Sequence, residues 1–233
     1  MKKILLIDSG VGAISVLNEI RKSNKNVDIL VFVDNKNAPF GDKDKDFLCD
    51  VTYKNIITFL NKYDIGLIVL ACNTLTVGCI DFLRAKIGVP IVGTEPNVKV
   101  NEPALALCTP FTAKWCKVLK GNKNITILPM DGLSTLIDKN LNNLDITITY
   151  LRDKLNGLSG FKNIILGCTH YSFIKKQITS TLNGEVTWLE NKFGVAKRVS
   201  TFLDDSFCGA GKIDLILSKK DASFETSLKN FIN

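Results

Sequence analysis

Short apolar runs alternate along the chain with longer stretches whose apolar residues return every three or four positions. Ile4 to Ile7, Ile29 to Val33 and Ile65 to Leu70 are runs of strand length. Between them, Gly10 to Arg21 carries Ile14, Leu17 and Ile20 at helical spacing, and Asp46 to Lys62 carries Ile56, Ile57, Phe59 and Leu60. Thr76 to Lys86 predicts a further helix, and Pro90 to Val92 a short fourth strand. Strands separated by helices imply βαβ units and a parallel sheet covered on both faces.

Glu95-Pro96 marks a boundary, because proline blocks continuation of regular structure. The pattern then restarts. Ala104 to Cys108, Ile125 to Leu128 and Asn163 to Leu166 predict strands. Thr112 to Leu119, Leu133 to Lys139 and Ile146 to Leu155 predict helices. Near the end, Ile213 to Leu217 predicts a strand, and a closing helix carries Phe224, Leu228 and Phe231. The expected organisation is a first α/β domain from residues 1–96 plus 206–233 and a second from 97–205.

An internal echo suggests that the two halves are alike. Ile65 to Leu70 leads into Ala71-Cys72-Asn73-Thr74, and Asn163 to Leu166 leads into Gly167-Cys168-Thr169-His170. Each is an apolar strand that ends in a small residue, a cysteine and polar residues. Open α/β sheets bind ligands at the carboxyl ends of their strands. A helix start there lowers a thiol's pKa and attracts a carboxylate. A single buried strand cysteine is usually a packing residue; two in matching contexts point to chemistry. Cys49, Cys79, Cys108, Cys116 and Cys208 have no such context and read as packing or loop residues.

Composition narrows the classes. A chain of 233 residues with 45% hydrophobic residues can bury a core without staples. Seven cysteines, an odd count without a CxxC pair, argue for reduced thiols and a cytoplasmic setting. The apolar run after Met1-Lys2-Lys3 is too short for a leader or a membrane span. One histidine and no cysteine pair at ligand spacing argue against a metal site. The net charge of +7 is spread over scattered lysines with no aromatic-interleaved basic stripe, so nucleic acid is not an expected partner.

Asp8-Ser9-Gly10-Val11-Gly12, after the first strand, has two readings. With Asp34 ending the second strand it forms a partial dinucleotide fingerprint, its third glycine replaced by Ser15. Alternatively, Asp8 is an orienting carboxylate and Ser9 a polar contact, or the pair caps a helix. His170, two residues past Cys168, is placed to assist that thiol.

Asp8-Ser9-Gly10-Val11-Gly12, Pro39-Phe40-Gly41, Ala71-Cys72-Asn73-Thr74 and Gly167-Cys168-Thr169-His170-Tyr171 resemble the signature set of glutamate racemases, in the same order. Val89 to Gly93, Glu95-Pro96 and the aromatic tail extend the resemblance over nearly the whole chain. The resemblance implies an α/β fold of two pseudo-symmetric domains, each a mostly parallel sheet flanked by helices, with the active site in the cleft between them. It implies racemisation of glutamate without pyridoxal phosphate or any other cofactor, supplying D-glutamate for peptidoglycan. The partner is a small-molecule substrate, with no membrane or nucleic acid involved and a homodimer left open. Cys72 and Cys168 match the acid/base thiols, Asp8 the carboxylate assisting the first and His170 the imidazole assisting the second. Ser9, Phe40, Gly41, Asn73, Thr74 and Thr169 match substrate-binding positions, and Thr109 and Thr112 a substrate-side loop. Phe40 stands where tyrosine is usual, and Asp138 is the nearest match to the family's second-domain acid. An aspartate racemase would share most of these motifs, and a nucleotide-dependent oxidoreductase remains the alternative from another class.

Overall fold

The computed structural model describes residues 1–158, 160–182 and 184–233. The apolar runs become two parallel sheets. The first joins β1 (Lys3–Asp8), β2 (Ile29–Val33), β3 (Ile65–Leu70), β4 (Ile91–Gly93) and β9 (Ile213–Leu217) in the order β4-β3-β1-β2-β9. The second joins β5 (Ala104–Cys108), β6 (Ile125–Pro129), β7 (Asn163–Gly167) and β8 (Thr187–Leu189) in the order β6-β5-β7-β8. Read from the other edge, the second sheet repeats the first, with β5, β6, β7 and β8 in the places of β1, β2, β3 and β4. All pairings between these strands are parallel. The sequence echo is therefore a topological repeat, and Cys72 and Cys168 each follow the third strand of their unit.

The helices are α1 (Gly12–Ser23), α2 (Lys45–Lys62), α3 (Asn73–Lys86), α4 (Pro110–Trp115), α5 (Lys117–Lys120) and α6 (Leu133–Lys139). They continue with α7 (Thr147–Lys154), α8 (Lys175–Leu182), α9 (Lys192–Ser200) and α10 (Ala222–Lys229). Alternate residues of the central strands enter different cores, as the two-residue period of a strand requires. Ile4 and Leu6 of β1, with Val31 of β2 and Val69 of β3, pack on the α1 side. Leu5 and Ile7, with Leu30 and Ile68, pack on the side of α2 and α3. The α1-side core is continuous with Leu105, Ile164 and Leu166 of the second sheet, so α1 lies between the two sheets and joins their cores. Asp44 caps α2 by accepting from the N–H groups of Asp46 and Phe47.

Several elements differ from the sequence expectation. The helix expected over Thr112 to Leu119 is split at Cys116 into α4 and α5, and it starts at Pro110, where Thr109 caps it. Proline suits a first helical turn, where its missing N–H costs nothing. The closing helix ends at Lys229, and Phe231 packs beyond it against Phe173. Strand β8 and helix α9 were not expected from sequence: β8 has three residues, and α9 carries one short apolar turn of Val195, Ala196 and Val199. Among the described residues, no helix is long and apolar enough to cross a membrane.

Candidate active site

The two cysteines stand at equivalent strand ends. Cys72 is the N-cap residue of α3, with extended backbone (φ −87°, ψ 127°). Cys168 holds the same position, also extended (φ −147°, ψ 131°), before a 3-10 helix spanning Thr169–Ile174. The α-helix expected immediately after Cys168 begins only at Lys175. The tighter turn aligns residues three apart, and here it buries Tyr171 and Ile174 together. Both cysteines line one cavity of about 10 Å³, room for roughly one water molecule. The remaining walls are Ser9, Phe40, Gly41, Asn73, Thr74, Thr109, Ser134 and His170.

The two sulfurs have unlike surroundings. Burial pushes the Cys72 thiol well above its usual pKa, and the Asp8 carboxylate adds to the rise. The N–H groups of Leu75 and Thr74, at the start of α3, pull the other way. Asp8 is fully buried; burial raises its own pKa, and His170 and the N–H groups of Ser9 and Gly10 oppose that rise. At Cys168 the neighbour is His170, whose Nδ1 lies 3.8 Å from Sγ. Burial works against a charge on that imidazole, but Asp138 and Cys168 lift its pKa well above the ordinary range. Asp138 Oδ2 is 3.1 Å from His170 Nε2, and its Oδ1 accepts from the Val11 N–H at 3.0 Å. One thiol thus faces a buried carboxyl group and the other an imidazole held towards its charged form.

No family model matches the chain. It is similar to a glutamate racemase of Clostridium botulinum, 33% identical over 94% of this chain and 93% of that protein. A glutamate racemase of Clostridium kluyveri is 37% identical over 85% of this chain and 82% of its own length. The chain belongs to the glutamate racemase family. The fold agrees: the Escherichia coli glutamate racemase, solved with L-glutamate and the activator UDP-MurNAc-ala, superposes with a TM-score of 0.86. That match covers 99% of this chain and 96% of the other at 21% identity.

Three residues that resemble glutamate racemase site positions stand behind the cavity wall instead of lining it. Asp8 lies beneath Ser9, whose N–H donates to its Oδ1 at 2.6 Å. Thr169 Oγ1 donates to Asp8 Oδ2 at 3.1 Å, tying the second sheet's turn to the first sheet's carboxylate. Thr112 is completely buried and accepts from Thr109 Oγ1 at 3.1 Å. Thr109 Oγ1 in turn lies 3.0 Å from Thr74 Oγ1. Asn73 Nδ2 donates to the Thr94 carbonyl at 2.8 Å, while its buried Oδ1 has no partner among the described residues.

The glycines of the first loop are explained by the same packing. A Cβ on Gly10 would lie 2.1 Å from Asp138 Oδ2, and one on Gly12 would lie 2.3 Å from Thr169 Oγ1. These glycines admit Asp138 of α6 and Thr169 of the turn after β7, which occupy the approach a pyrophosphate would need. Asp34, the candidate ribose acid, is buried and accepts from the side-chain amides of Asn37 and Asn55. The geometry corrects the dinucleotide reading of this loop.

Asp138 and Ser134 show where sequence reasoning fell short. Both lie on α6, Ser134 in its first turn and Asp138 one turn later. Asp138 had only a weak motif match, and nothing in the sequence distinguished Ser134 from a surface serine. Among the described residues, no group of three His, Cys, Asp or Glu side chains could hold a metal ion.

Proposed function

We propose that the chain interconverts L- and D-glutamate by exchanging the Cα proton between two thiols, Cys72 and Cys168, without a cofactor. The observation that carries this reading is that one buried cavity is shared by two cysteines from different sheets. Racemisation removes a proton from one face of a carbon and returns one to the other. A single base would have to carry the proton around the carbon, whereas thiols on opposite faces need not.

The two thiols must begin a turnover in opposite protonation states. Burial and Asp8 keep Cys72 a neutral thiol. A protonated His170 is positioned to donate to Cys168 Sγ when that sulfur carries negative charge. The Cys168 thiolate then takes the Cα proton to become a thiol, leaving an electron pair on carbon. Cys72 gives its proton to the opposite face and becomes the thiolate. The product state has the reversed charge pattern, from which the reverse reaction starts.

The carbanion needs its charge spread into the α-carboxylate, held by donors in place before the reaction. The hydroxyls of Ser9, Thr74 and Thr109 are the candidates, their protons turning from Asp8, Thr109 and Thr112 to the substrate when it binds. Asn73 Oδ1, buried and unpartnered, is suited to accept from the substrate ammonium. Phe40 and Gly41 bound the space for the side chain. Both thiols and their partners come from one chain, so the reaction requires no second copy. We assign the role to the cytoplasm, supplying D-glutamate for peptidoglycan.

The test is incubation of each glutamate and aspartate enantiomer in heavy water, following optical rotation and deuterium at Cα. Loss of rotation with deuterium entering from both glutamate enantiomers is expected. Exchange confined to aspartate would refute the substrate, and binding without exchange would refute the chemistry.

A further inference from the structure

Next to the 10 Å³ chamber lies a cavity of about 540 Å³, within the ~300–1,000 Å³ range typical of small-molecule sites. The two share a wall. Ser9 lines both, and Asp138, which lines the outer cavity, is bonded to His170 of the inner one. Pro39 and Thr135 line the outer cavity where their chain neighbours Phe40 and Ser134 line the inner one. The outer cavity's other side is the start of α10 with its preceding loop.

Its charged residues are Lys139, Lys219, Asp138 and Asp221. Both acids are engaged. Asp138 holds the Val11 N–H and His170, and Asp221 Oδ1 caps α10 by accepting from the Phe224 N–H at 2.9 Å. Neither lysine forms an ion pair among the described residues. Lys219 is held in place through its backbone: its N–H donates to Asn35 Oδ1 and its carbonyl accepts from Asn35 Nδ2, both at 2.9 Å. Two uncommitted cations thus stand over a cavity that adjoins a chamber with no lysine or arginine in its lining.

We propose that this outer cavity is a capture site for a dicarboxylate amino acid, which then passes Ser9 into the reaction chamber as the chamber walls part to admit it. The inference rests on the racemase reading for the identity of its ligand. Glutamate carries two carboxylates and one ammonium, so its net charge is negative and Lys139 and Lys219 attract it before any directional contact forms. Such attraction lowers KM and leaves the chemical step to the thiols.

Two measurements test this. In the first, racemisation kinetics of K139E/K219E are compared with the parent chain and with K123E. Lys123 lies in the turn before β6, at the sheet end away from the thiols. At low salt the double variant should lose about tenfold in kcat/KM, mostly through KM, and the gap should shrink as salt is added. K139Q/K219Q should show a smaller loss in the same direction. In the second, lysines carrying ¹³C-methyl groups, which keep their charge, are titrated with L-glutamate and assigned with K139R and K219R. Saturable shifts of the Lys139 and Lys219 signals support capture. Unshifted signals, with K139E/K219E kinetics matching K123E, overturn it. If the parent chain fails to racemise glutamate, the racemase reading falls, and the lysine signals still decide whether a dicarboxylate is captured.

Discussion

The two halves of the molecule share a scaffold and differ in charge. In each, a third strand hands the chain to a cysteine in extended conformation, and a helical turn begins at the next residue. The scaffold makes the thiols equivalent in position. The neighbours make them inequivalent: a buried carboxylate at Cys72, an imidazole lifted by a carboxylate at Cys168. A repeat suits a reaction whose substrate carbon presents two opposite faces. Unlike charges suit a reaction that must begin with one proton donor and one acceptor. The symmetric part is therefore in the backbone, and the asymmetric part is in a few side chains.

The comparison breaks first at the sulfurs. If both act as acid and base, Cys72→Ser and Cys168→Ser each reduce steady-state racemisation by about 10²–10⁴-fold. Near-parental turnover in either variant, measured by circular dichroism of the substrate, would show that only one thiol is used.

A sharper test removes the charge difference and leaves the thiols. In Asp138→Asn, burial of His170 is no longer opposed by a carboxylate, so its pKa falls. Turnover should drop about 10–100-fold at neutral pH and recover partly at lower pH, where the imidazole is protonated again. The chain contains a single histidine, so one NMR titration reads the shift without assignment. The stability effect has a defined sign. A histidine whose folded pKa exceeds its unfolded value, near 6.5, contributes stability fully present below that pH and lost as pH rises through the folded pKa. The urea midpoint of the parent chain should exceed that of Asp138→Asn most at acidic pH, with the gap closing towards alkaline pH. An equal gap at every pH would mean that the pair is not charged.

The sequence displayed the symmetric part better than the asymmetric part, for physical reasons. Strands β2, β3 and β5 match the expected bounds because buried parallel strands are near-continuous apolar runs. Helix α3 starts at Asn73, three residues before the expected Thr76, because its polar first turn lines the site and carries no apolar period. Strand β8 has three residues, too few for any period to register. Cys72, Cys168 and His170 could be read from local motifs. Asp138 could not, because its role comes from meeting His170 across 32 positions of sequence. Gly10 and Gly12 suggested a phosphate loop, since a motif records the missing side chain and leaves open what fills its space.

That space is the next point of attack. In Gly12→Ala the new methyl would meet Thr169 Oγ1 at 2.3 Å, His170 Nδ1 at 2.8 Å and Asp8 Oδ2 at 2.9 Å. All three are buried, so the loop and the second sheet's turn must move apart. The expected cost is about 1–3 kcal/mol in urea unfolding, with turnover reduced because both thiol partners are displaced. Parental stability and activity would mean that the two halves are less tightly joined here than the packing indicates.

The smallest effect expected is at Thr169, whose hydroxyl is the second sheet's direct contact with Asp8. Thr169→Val keeps the shape and removes one donor from a buried carboxylate. Asp8 retains the N–H groups of Ser9 and Gly10, so the loss should be near 1 kcal/mol and not the several expected for an orphaned charge. With one donor fewer, the Asp8 pKa should rise further. A group already raised above its unfolded pKa of 3.8 weakens folding as pH climbs. The deficit of Thr169→Val should therefore be present at pH 7 and shrink towards pH 4, opposite in direction to Asp138→Asn. If both variants show the same trend with pH, the carboxylate and the imidazole are not acting as opposite charges, and the two halves differ only in shape.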